Sequence, residues 1–94
     1  MELIQINLIL PQQLRKLIGD QTSVEIMGDK IYDVIEQLDL VYPTFKERLI
    51  DEDGEVKPYF NLFLGTLNIK DLEGIETKIY QGDTIRLILS RAGG

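Results

Sequence analysis

The chain has 94 residues, 44% hydrophobic and 28% charged, with 16 acidic against 10 basic side chains and a formal charge of −6. A chain this short buries about 60–65% of its unfolded surface, so one small core serves the molecule and there is no room for a core and a deep substrate cleft together. Cysteine and histidine are absent, which removes disulfides, thiolate metal sites, cysteine nucleophiles and the commonest general base, and a negative field repels nucleic acid and anionic membranes.

Residues 2–10 read as the first strand, with Ile4, Ile6, Leu8 and Leu10 on one face, Gln5 and Asn7 on the other, and Leu3 and Ile9 adding apolar character to that second face. Pro11 lacks an amide donor and ends it. Leu14 to Gly19 reads as a short helical turn stopped by Gly19, and Ser23 to Met27 as a second strand with Val24 and Ile26 inward. Gly28-Asp29 breaks that strand, and Asp29 is the expected cap of a helix of about three turns. Ile31, Val34, Ile35, Leu38 and either Val41 or Tyr42 make its apolar stripe. Pro43 ends or kinks this helix, and Phe45 with Leu49 predicts one further turn.

Asp51 to Glu55 is acidic, but it lacks the glycine and glutamate spacing of a calcium loop and reads as a solvated turn. Tyr59 to Leu64 is a strand with Phe60, Leu62 and Leu64 facing one way and Asn61 and Phe63 the other; Gly65 turns the chain. Asn68 to Thr77 is expected to be a loop with a short strand or helical turn, anchored by Leu72 and Ile75. After a turn at Gln81-Gly82-Asp83, the last strand runs from Thr84 to Ser90, with Ile85, Leu87 and Leu89 inward and Arg86 and Ile88 outward.

The first and last strands carry the richest apolar runs and are expected side by side at the sheet centre. A hairpin, one main helix, short edge strands and a final apolar strand fit an α+β fold. The arrangement is a β-grasp (ubiquitin-like) mixed sheet with the helix packed across one face. Residues 1–94 form a single domain with a flexible Gly-Gly tail from about residue 90. The N-terminal stretch has no basic segment and is too short for a signal peptide or a membrane span, and the expected setting is cytoplasmic.

No dinucleotide, phosphate-loop or metal pattern is present, and without histidine no serine triad can form. What remains is the end of the sequence, Arg91-Ala92-Gly93-Gly94. A terminal carboxylate is ionised at neutral pH and is a poor electrophile, so it transfers its acyl group only after activation, for example by attacking the α-phosphate of ATP. Two residues without side chains let a partner close tightly around the backbone. Ser90 to Gly94 can extend about 16–18 Å, enough to reach a buried site while the body docks outside. The bland alternative is a frayed end.

With these residues the chain resembles the MoaD/ThiS family of ubiquitin-like sulfur carriers over nearly its whole length. The matching stretches are Leu14 to Gly19, Ile31 to Leu38, Tyr42-Pro43 through Leu49, Asp53-Gly54, Pro58 to Leu64, Gln81 to Ile85, and Ala92-Gly93-Gly94. The resemblance implies that Gly94 is adenylated by an E1-like enzyme and converted to a thiocarboxylate that donates sulfur, with Gly93 giving access. The receiver would be molybdopterin, thiamin or a related biosynthesis, through a synthase large subunit or another sulfur-accepting enzyme. It implies a carrier and not an enzyme, with no cofactor and no metal. Lys30 and Ser90-Arg91 depart from the family's usual residues, a helix-starting threonine and a small or proline-containing approach to the tail. Arg91 makes the end look somewhat like ubiquitin's own, which keeps conjugation of Gly94 to target lysines open; a non-covalent β-grasp interaction domain with an incidental Gly-Gly end is the third reading. By strand parity Phe63, Arg86 and Ile88 face away from the helix near the tail. With Arg91 and Ala92 they are the expected partner-docking residues.

Overall fold

The computed structural model describes residues 3–90. Five strands form one sheet in the order β2-β1-β5-β3-β4: β1 (Leu3–Ile9), β2 (Ser23–Met27), β3 (Phe60–Leu64), β4 (Leu67–Asn68) and β5 (Thr84–Leu89). β1 and β5 lie side by side and run parallel, Asn7 opposite Thr84 and Ile9 opposite Arg86, while every other pairing is antiparallel. This is the expected β-grasp, and its two most apolar strands lie adjacent inside the sheet, each flanked by strands on both sides.

The helix α2 (Ile31–Val41) crosses one face of the sheet. Its stripe of Ile31, Val34, Ile35 and Leu38 is buried together with Ile6, Leu8, Ile26, Phe60, Leu62, Ile85 and Leu87. The open choice for the fifth stripe position falls to Tyr42, which packs on the core, whereas Val41 is 59% exposed. α1 (Gln12–Arg15) and the 3-10 turn Lys16–Ile18 plug one end of the core with Leu14 and Ile18, and Gly19 stops them at φ 66°. Thr44, at φ 97°, reverses the chain into α3 (Phe45–Leu49), whose Phe45 and Leu49 are buried.

The start of α2 departs from expectation. Asp29 does not cap it; the carboxylate of Asp33, one turn inside, accepts hydrogen bonds from the backbone N–H groups of Asp29 (3.0 Å) and Lys30 (3.2 Å). Satisfying the free amides from inside the first turn also places negative charge at the positive end of the helix dipole. Gly28 makes this possible, because a Cβ there would sit 2.5 Å from the Asp33 Cβ.

Two anchors differ as well. Leu72 is 38% exposed, and the segment is held by buried Ile69, Thr77 and Ile79 with half-buried Ile75. Leu89 keeps the expected inward parity, opposite buried Phe60, yet at the end of β5 it is 37% exposed.

Candidate functional site

The end of β5 is where the chain leaves the sheet. Ser90 extends the ladder by one step beyond the strand, donating its N–H to the carbonyl of Tyr59 at 2.7 Å. The expected site residues Arg91, Ala92, Gly93 and Gly94 lie outside the described residues. Four residues beyond Ser90 can span at most about 13–14 Å, so anything acting on Gly94 must come close to this end of the sheet.

The face of the sheet opposite α2 is uncovered there. Arg86 stands opposite Phe63 across the β3–β5 ladder and opposite Ile9 across the β1–β5 ladder, so the three form one row over three strands. Ile88 follows two residues along β5 on the same face, opposite Asn61. The predicted trio of Phe63, Arg86 and Ile88 therefore comes together, with Phe63 half-buried, Ile88 42% exposed and Arg86 exposed. Ile9, 54% exposed, completes the row and is not among the residues expected from strand parity. Its signal is the apolar residue on the second face of β1, which means nothing until the parallel β1–β5 register puts it beside Arg86. Tyr59 and Leu89, 43% and 37% exposed, add apolar surface beside the exit of the chain.

The electrostatics of the body lie elsewhere. Lys46 on α3 donates to Tyr32 (3.1 Å) and to Glu36 on α2, with its ammonium 5.1 Å from the Tyr32 ring centre. Hydrogen bonds to Glu36 and then Tyr32 hold the Lys46 ammonium well above the usual lysine range, and the hydrogen bond from Lys46 keeps the Glu36 carboxyl below its ordinary value. In the acidic turn, the Asp51 carboxylate accepts from the backbone of Asp53 and Glu55, so it serves the turn itself.

The expectation of no room for a cleft is corrected. A cleft of about 410 Å³ opens between the β3–β4 edge, the 54–56 turn and the segment 68–75. Its walls are the two loop segments 54–56 and 68–75, which stand on either side of Phe60 and Leu62 of β3. None of Phe63, Arg86 or Ile88 lines it.

No protein-family model matches the chain. Sulfur carrier protein CysO of Mycobacterium tuberculosis is 30% identical over 91 residues, which cover 95% of this chain and 98% of that protein. The chain belongs to the ubiquitin-like sulfur carriers. It is also 32% identical over 82 residues to small archaeal modifier protein 3 of Haloferax volcanii, covering 85% of this chain and 88% of the relative. The solved structure of Mycobacterium tuberculosis CysO matches with a TM-score of 0.80 at 28% identity, covering 90% of this carrier and 98% of that chain. A chain of the Amycolatopsis orientalis BexX/CysO complex matches at 0.81 with 25% identity over 95% and 99% of the two. Among the described residues, no helix is long and apolar enough to cross a membrane.

Proposed function

We propose that this sulfur carrier works through the carboxylate of Gly94 as a single domain in the cytoplasm, with catalysis supplied by other proteins. An E1-like enzyme adenylates Gly94 at the expense of ATP, releasing pyrophosphate. A sulfur nucleophile then displaces AMP to leave a thiocarboxylate, which donates its sulfur to a biosynthetic acceptor. Gly93 lets the enzyme close around the backbone, while Phe63, Arg86, Ile88, Arg91 and Ala92 meet the partner.

The observation that carries this reading is the position of the uncovered row Ile9–Arg86–Phe63, with Ile88 beside it, on the strand that leads to Gly94. A partner docked on that row has the last residues within reach. The Amycolatopsis orientalis BexX/CysO complex, in which a relative is assembled with another protein, supports a partner-dependent role. The test is mass spectrometry of the purified carrier after incubation with its cognate activating enzyme, ATP and a sulfur donor. The carrier gains the mass of sulfur replacing oxygen, and a version extended beyond Gly94 does not. An unchanged mass overturns the proposal.

The likeness to small archaeal modifier protein 3 favours a second reading, conjugation of Gly94 to lysines of target proteins. It requires higher-mass conjugates of a tagged copy in cells, lost when Gly93 and Gly94 are deleted.

A further inference from the structure

Strand alternation in β3 gives this carrier two separate surfaces. Asn61 and Phe63 look out over the open face, whereas Phe60 and Leu62, two residues on the other parity, line the cleft of about 410 Å³. The floor is apolar, made by these two with Val56, Ile69 and Ile75. A volume of that size accepts one or two large side chains of a peptide.

The rim is acidic. Glu55 stands on one side; Glu73, with Lys70, stands on the other. The three ion pairs among the described residues, Arg15–Asp20, Lys30–Glu76 and Lys46–Glu36, leave both rim glutamates without a cation. The flanks keep the field negative, because residues 51–57 hold Asp51, Glu52, Asp53 and Glu55 against Lys57 alone, and Asp71 adjoins Lys70. With Lys70 as the one base on a rim that carries Glu55 and Glu73, the excess of negative charge above an apolar floor is complementary to an amphipathic cation.

We propose that this cleft is a second docking surface, taking a basic partner segment in which a large apolar residue adjoins arginine or lysine. The apolar side chain packs on half-buried Val56 and Ile75 above the buried Phe60 and Ile69, and the cation meets Glu55 and Glu73. Because the cleft and the Ile9–Arg86–Phe63 row occupy opposite faces of β3, a protein held in the cleft leaves the row and the chain exit free. A carrier can then be tethered while its end is being processed.

The experiment titrates two capped heptapeptides of equal length into the isotopically labelled full chain, followed by amide NMR shifts. One peptide alternates leucine with arginine and the other leucine with glutamate. The arginine peptide gives saturable shifts at Gly54, Ile69 and Gly74 with a Kd below about 1 mM, weakening as salt is added. The double variant Glu55→Lys/Glu73→Lys, altered only at exposed positions, binds the arginine peptide at least tenfold more weakly and gains binding of the glutamate peptide. The proposal is overturned if the arginine peptide gives no saturable shifts at 1 mM. It is likewise overturned if the shifts fall on Phe63 and Ile88, or if both peptides bind alike. Shifts of the cleft amides on simple dilution of the protein would assign the cleft to a second copy of the chain and refute it too.

Discussion

Trimming the uncovered row to alanine tests the proposed docking role apart from any role in the fold. Ile88 is 42% and Ile9 54% exposed, so each leaves about half of its side chain for a partner to cover. Full burial of an isoleucine is worth ~1.5–3 kcal/mol, so covering these remainders is worth ~0.6–1.3 kcal/mol at Ile88 and ~0.8–1.6 kcal/mol at Ile9. The variant Ile88→Ala therefore raises the KM of the activating enzyme for the carrier by roughly 3–8-fold, and Ile9→Ala/Ile88→Ala by roughly 10–100-fold. The rate at saturation stays the same, because these contacts serve docking and not chemistry. The assay is ATP–pyrophosphate exchange at varied carrier concentration, with thermal melts confirming that each variant folds. Leu72→Ala, 38% exposed but beyond the β3–β4 edge, is the matched control and leaves KM unchanged. An unchanged KM in the double variant, or an equal rise in the control, refutes the docking row.

Two further predictions concern the body. Asp33→Ala strips the cap from Asp29 and Lys30 and costs about 1 kcal/mol, read as a fall in Tm of roughly 4–8 °C; a Tm unmoved by the change refutes the clasp. The Lys46–Glu36 contact makes stability depend on pH at both ends. Lys46 titrates above its ordinary value when folded, so its contribution is complete below about pH 10 and fades as pH rises through the folded value. Glu36 titrates below its ordinary value, so its contribution is present above about pH 4–5 and fades as pH falls through the folded value. The Tm difference between the native chain and Lys46→Gln is therefore largest from about pH 5 to 10 and shrinks on either side; a constant difference refutes it.

Legibility along the chain follows the range of the interaction. The stripe Ile31, Val34, Ile35 and Leu38 and the alternation in the first and last strands are readable, because helix and strand periods act over a few neighbours. So is the parity that puts Phe63, Arg86 and Ile88 on one face. The Asp33 clasp is less so, since Asp29 is an equally good cap by type and the close approach to Gly28 is invisible in one dimension.

By itself, then, the order of amino acids determined the kinds of elements, their apolar faces, the lack of histidine and cysteine for catalysis, and a β-grasp with its richest strands side by side within the sheet. Only the tertiary structure decided what sits across from what. It placed Ile9 beside Arg86, left Leu89 and Leu72 uncovered, and opened a cleft at the β3–β4 edge. These depend on the parallel β1–β5 register and on where the loop segments 54–56 and 68–75 pack beside β3. The β1–β5 pairing joins residues more than 70 positions apart, and it comes from the joint packing of all elements, which no local pattern encodes.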